Sequence, residues 1–88
     1  MVTNLINERG NATANQFVIY NENGITFQSY RTKIAVIASG EVFINYNMFD
    51  YSRTTSKYLA QFLRQNGWDI KSKKDIERLI KNGRFKTF

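Results

Sequence analysis

Eighty-eight residues with 42% hydrophobic and 15% aromatic content supply one domain with one modest core, and leave no room for a second. The chain has no cysteine and no histidine, which removes disulfides, thiolate nucleophiles, zinc–thiolate sites, the usual proton shuttle and the commonest metal ligand. Its net charge of +6 is unevenly placed: residues 1–51 hold three cations against four acids, while residues 52–88 hold ten cations against Asp69, Asp75 and Glu77. Such asymmetry attracts polyanions to one end of a molecule.

Residues 1–15 are rich in Asn and Thr, with only Val2, Leu5 and Ile6 as sizeable apolar anchors, and predict a flexible or loosely docked arm. From Gln16 the pattern alternates. Phe17-Val18-Ile19-Tyr20 and Ile25-Thr26-Phe27-Gln28-Ser29-Tyr30 flank the turn-forming Asn21-Glu22-Asn23-Gly24, the composition of a β-hairpin. Ile34–Ala38 and Val42–Tyr46, joined near Ser39-Gly40, add a second pair. The expectation is a four-stranded antiparallel meander over residues 16–46. Its helix-facing side is expected to carry Phe17, Ile19, Ile25, Phe27, Ile34, Val36, Val42 and Ile44. Its other side would carry Val18, Tyr20, Thr26, Gln28, Tyr30, Ala35, Ile37, Phe43 and Asn45, too apolar for bare solvent. Such a face suits either a homodimer interface or an aromatic platform for bases.

After Asp50 the period changes to about 3.6. Thr55, Tyr58, Leu59, Phe62 and Leu63 form an apolar stripe that predicts a helix over 53–65, with Ser52 or Thr54 as N-cap and Asn66-Gly67 at its end. A second helix is predicted over 73–82, opened by Ser72 with Asp75 in its first turn and closed by Gly83. Trp68 and Ile70, between the helices, are expected to plug the gap to the sheet. In the tail, Phe85 and Phe88 are expected to pack back onto the core. No opening segment reads as a signal peptide and no run approaches the roughly 18 apolar residues of a membrane span, so the chain is read as soluble and intracellular, with no membrane partner.

Catalysis finds no seat. The seven acids are scattered without a close i, i+4 pair, no Gly-rich phosphate loop occurs, and Ser, Thr and Lys lack a histidine base beside them. A non-catalytic protein without metal or cofactor is expected. The first helix is more informative. At about 100° per residue, Arg53, Lys57 and Arg64 share one face opposite Tyr58 and Phe62, and the helix contains no acid, whereas an ordinary solvated face mixes signs. Ser52, Thr54 and Ser56 add hydroxyls at the helix start, where phosphates are readily bound, although helix capping alone also favours those residues. Lys71, Lys73, Lys74, Arg78, Lys81, Arg84 and Lys86 extend the basic surface along the second helix and tail, with Lys73 expected to pair with Glu77 and Lys74, Arg78 and Lys81 forming the bare strip that joins the candidate set. Arg31, Lys33 and Tyr30 join the candidate set from the sheet.

The segments Ser29-Tyr30-Arg31-Thr32-Lys33-Ile34-Ala35, Gly40-Glu41-Val42 and Asp50-Tyr51-Ser52-Arg53-Thr54-Thr55-Ser56-Lys57-Tyr58, with Phe62-Leu63, resemble small bacteriophage- and plasmid-encoded proteins of largely uncharacterised function. The resemblance covers about residues 16–65. Many such proteins carry histidine where this chain has Tyr58, so no role of that histidine transfers, and the second helix and tail inherit nothing. The resemblance implies a phage origin and hence the cytoplasm of a host bacterial cell. Small early phage proteins commonly bind host machinery, inhibit defence systems such as CRISPR, or coat nucleic acid. The combined expectation is an α+β domain, a four-stranded antiparallel sheet followed by two C-terminal helices packed on one face. It would bind nucleic acid, RNA in preference to DNA, and act against a host defence nucleoprotein complex. The alternative is an anti-CRISPR-like inhibitor that binds a host effector by protein–protein contact.

Overall fold

The structure is a computed structural model describing residues 1–88. Five strands, β1 (Val2–Ile6), β2 (Ala12–Asn21), β3 (Gly24–Ser29), β4 (Thr32–Ala38) and β5 (Glu41–Ile44), precede helices α1 (Arg53–Gln65) and α2 (Lys73–Lys81), and a short β6 (Phe85–Thr87) ends the chain. The expected α+β class and both helices are present, α1 with the bounds predicted for it. The sheet, however, has six strands rather than four, in the order β1-β2-β3-β4-β5-β6, and it is mixed, because β6 pairs parallel to β5.

The two added strands are the edges. β1 lies in the segment expected to be a flexible or loosely docked arm. Its only buried residue is Leu5, but it pairs with β2 from Val2↔Ile19 to Ile6↔Ala12. The carbonyl of Ile6 accepts from Gln61 Nε2 and from Gln65 Nε2, the latter at 2.7 Å, so α1 clamps the strand's end. β6 becomes a strand because a parallel partner needs a long crossover, which α1 and α2 supply. Phe85 is then buried against Val42, while Lys86 pairs with Glu41 at 3.5 Å. Of the two tail phenylalanines, Phe85 packs into the core as expected and Phe88 stays 52% exposed.

Turn chemistry fixes the strand register, and the register decides which residues face the helices. The β2–β3 loop is only Glu22-Asn23, with Asn21 opposite Gly24. Asn21 Oδ1 accepts from the Asn23 N–H at 2.9 Å, an Asx turn. Gly24 has φ +153°, and a Cβ there would lie 2.1 Å from the carbonyl oxygen of Ile37, so only glycine fits. The β4–β5 turn places Ser39 and Gly40 both at positive φ, the geometry whose twist suits a two-residue hairpin. With this register Val18 pairs with Phe27 and both point to the helices.

The expected face assignment is therefore out of phase along β2 and β4. Val18 and Ala35 are core residues and Ile37 packs against the core, whereas Phe17, Ile19 and Val36 lie on the far side and are only partly buried. A one-residue slip in pairing flips every side chain of a strand. In β4 the irregularity opposite Phe27/Gln28 also turns Ile34 and Ala35 inward together. Tyr20 and Tyr30 do not belong to the far face, whose central row is Val2, Ile19, Thr26, Val36 and Phe43.

The core lies between the sheet's inner face and the helices. Phe27 of β3 stacks on Phe62 of α1 with ring centroids 5.5 Å apart, and both are fully buried. Leu59, Leu63, Ile70 and Ile76 complete the layer. Trp68 meets Phe85 edge-on at 4.8 Å, closing the gap between helices and sheet as expected. Phe62→Ala should cost about 3–5 kcal/mol, because the cavity adds to the lost transfer energy. Urea unfolding measures it, and a loss below about 1 kcal/mol would contradict this packing.

Candidate functional site

α1 begins where Ser52 leaves extended backbone and its Oγ accepts the N–H of Thr55 at 3.1 Å. Ser56 Oγ donates to the carbonyls of Phe49, at 3.4 Å, and Ser52, at 3.2 Å. With Thr55, Leu59, Phe62 and Leu63 buried, the opposite face of α1 turns outward. Arg53, Lys57, Ala60 and Arg64 line up along it as the sequence predicted.

Arg53, Lys57 and Arg64 are exposed along it, and they also form one wall of a cleft. The chain leaves α1 through Gly67 in left-handed backbone and returns to set the start of α2 beside the same face. The result is a cleft of about 580 Å³ walled by Ser52, Arg53, Ser56, Lys57, Ala60 and Arg64 on one side and Lys71, Ser72 and Lys73 on the other. Five cations face one carboxylate, Asp50, which lies 3.9 Å from Lys73. Arg53, Lys57 and Lys71 have no carboxylate partner. Like charges concentrated in a concavity focus a positive potential in it. α1 also has no acid in its first turn, where an acid would stabilise the helix dipole, and it places Arg53 there instead.

Arg64 differs from its neighbours. Its guanidinium reaches Glu8 Oε1 at 3.0 Å and donates to the Ile70 carbonyl at 2.8 Å, tying the β1–β2 turn and the inter-helix segment to α1. It borders the cleft, but its side chain is engaged in holding the cleft's walls.

The other predicted residues divide. Ser52 and Ser56 line the cleft with Arg53 and Lys57. Thr54 and Tyr30 line a separate hollow on the other side of Ser52. Arg31, in the β3–β4 turn, and Lys33, in β4, are exposed away from the cleft. On α2, Lys74 and Arg78 point elsewhere, Arg78 pairing with Asp75 at 3.2 Å, while Lys81 borders a third hollow with Tyr46, Phe49 and Glu77. Lys73 pairs with Asp50 and not with Glu77 as expected. Lys71 and Lys73, read from the sequence as part of the basic surface but not placed in the candidate set, line the cleft because the start of α2 lies beside this face of α1. Their place just before and at the start of α2, opposite the basic face of α1, is the signal that sequence carried.

Asp75 fixes the start of α2. Its Oδ2 accepts the N–H groups of Lys71 at 2.8 Å and Ser72 at 3.3 Å. The hydrogen bond from Lys71 is the main cause holding its carboxyl below the ordinary aspartate value; desolvation, the next largest influence, opposes it, and the Ser72 hydrogen bond and the charges of Arg78 and Lys71 add to the lowering. A lowered carboxyl pKa stabilises the fold above the unfolded aspartate value and loses that contribution as pH falls through the folded value.

A family model described as a family of unknown function (DUF8033) matches residues 1–78. The chain belongs to this family. The DUF8033 match takes in β1 and all but the last three residues of α2, so both walls of the cleft, Lys71 and Lys73 included, lie within the family domain. β6 lies beyond the match. No curated protein and no solved structure matches the chain. No helix is long and apolar enough to cross a membrane.

Asp75→Asn should lower the thermal midpoint at pH 7 and flatten the loss of stability on acidification below pH 4, read by circular dichroism melts across pH. An unchanged acid limb would show that Asp75 does not hold the α2 N-terminus.

Proposed function

We propose that this DUF8033 protein is a small non-catalytic nucleic-acid-binding protein whose α1/α2 cleft takes the phosphate backbone. The observation that carries this reading is the cleft itself, in which Arg53, Lys57 and Lys71 stand unpaired with Lys73 and Arg64 beside them. Exposed lysine and arginine side chains cost little on a solvated surface when mixed with acids. Gathered in one concavity, they repel one another until an anion enters. The Ser52 and Ser72 hydroxyls at the two helix starts are suited to phosphate oxygens as additional donors, whereas Ser56 already donates within the fold. Contacts of this kind position a nucleic acid without reading its sequence. In the phage setting suggested by the resemblance, such binding would act against a host nucleoprotein complex. The expected preference for RNA rested on an aromatic sheet face, which Tyr20 and Tyr30 do not join, and on the lack of a recognition helix rich in Asn, Gln and Arg; phosphate contacts in the cleft favour neither, so RNA and DNA are tested alike.

The test is fluorescence anisotropy with single-stranded RNA and DNA at about 50 and 200 mM salt. Three to five phosphate contacts give a log–log slope of about −2 to −3.5, a fall in affinity of about 20- to 130-fold over that range. Arg53→Glu/Lys57→Glu/Lys71→Glu should abolish binding with little change in the urea midpoint, because none of these side chains forms a salt bridge and the one ring contact among them, Lys57 Nζ 5.3 Å from the Tyr58 centroid, is on the surface. Arg64 is left intact, since its reversal would break the Glu8 and Ile70 contacts. Binding of the triple variant equal to that of the unmodified chain would contradict the proposal, and a protein that ignores oligonucleotides at both salts would point to an acidic protein surface as partner.

A further inference from the structure

On the far side of Ser52, the same helix start walls a second hollow of about 430 Å³, lined among others by Tyr30, Thr32, Ile34, Met48, Tyr51 and Thr54. Ser52 belongs to both cavities, so the hollow continues the cationic cleft around the first turn of α1. Its chemistry changes at that point. No Lys, Arg, Asp or Glu lines it; it offers apolar surface from Ile34 and Met48, hydroxyls from serine, threonine and tyrosine, and two large aromatic rings.

Those rings stay exposed, Tyr30 at 61% and Tyr51 at 74%. Tyr30 occupies left-handed backbone, φ +55°, and its N–H donates to the Asn15 carbonyl at 2.7 Å. A glycine or asparagine would take that conformation at less cost. A tyrosine that neither fills the core nor eases its own turn is placed as a contact surface. Exposed tyrosines beside a cationic groove are the means by which proteins hold unpaired bases, which stack on the ring while the backbone lies along the charges. Bases of a duplex are paired and stacked on one another, and cannot enter such a hollow.

We infer that the protein binds single strands, with phosphates in the α1/α2 cleft and an unpaired base stacked on Tyr30 and Tyr51 in the adjoining hollow. This rests on the phosphate-binding reading of the cleft and adds the class of nucleic acid. Three labelled probes of about 12 nucleotides, a length within the range of single-strand sites, test it by anisotropy: a single strand, the same sequence as duplex, and a single sugar–phosphate strand without bases. They are run as RNA and as DNA, and the expected order in either chemistry supports the inference. The single strand should bind about tenfold or more tighter than the other two, as loss of one stacked base predicts. Tyr30→Ala/Tyr51→Ala should lower single-strand affinity to the level of the baseless strand, leaving affinity for the baseless strand and the salt slope unchanged. The baseless probe keeps the test valid should the double variant fold poorly. Equal affinity of the unmodified protein for strands with and without bases would overturn the inference while leaving phosphate binding standing. Absence of binding to all three probes would overturn both.

Discussion

The stacking of Phe62 on Phe27 is the contact on which the rest of the molecule depends. It seats α1 on the middle of the sheet, and the rotation of α1 about its axis follows from it. With Phe62, Leu59 and Leu63 committed inward, the residues on the opposite side, Arg53, Lys57 and Arg64, have only the outer face to occupy. A domain of this size buries only about 60% of the surface its unfolded chain exposes and has no disulfide to support it, so its few large buried rings set the geometry as well as the stability.

Electrostatics then works against the fold at one place. The chain sets α2 beside the cationic face of α1, bringing Lys71 and Lys73 toward Arg53 and Lys57. Two side chains hold this arrangement, beside the Lys73–Asp50 pair across the cleft. Arg64 ties Glu8 and the Ile70 carbonyl to α1, and the Asp75 carboxylate gathers the N–H groups of Lys71 and Ser72. Charges that repel one another are thus kept close, and the positive potential they focus in the cleft is the ground of the proposed anion binding. Where the cationic wall ends, at Ser52, the surface turns aromatic and hydroxylic, and the proposal of single-strand binding rests on this change.

Much of this was legible in the sequence, and the misses have physical causes. The change from alternating to helical periodicity after Asp50 located α1 with its bounds, and the common face of Arg53, Lys57 and Arg64 followed from helical geometry alone. Local signals failed where pairing is non-local. β1 is a polar edge strand with a single buried residue, and β6 exists only because a helical crossover delivers it to β5. The faces of β2 and β4 were misassigned by one residue, since register depends on a two-residue loop and on the irregularity that turns Ile34 and Ala35 inward together. Lys71 and Lys73 joined the site because the start of α2 lies beside α1, a placement no sequence window contains. Arg64 matched the basic face by spacing, but its bonds to Glu8 and Ile70 came from tertiary structure.

The most direct measurement is a two-dimensional amide NMR titration of the isotopically labelled protein with a short single-stranded oligonucleotide. Shift changes concentrated at Arg53, Ser56, Lys57 and residues 71–73, and extending to Tyr30 and Tyr51, are expected. Changes gathered instead on the far sheet face, around Ile19, Val36 and Phe43, or along Lys74, Arg78 and Lys81, would contradict the cleft as the binding site.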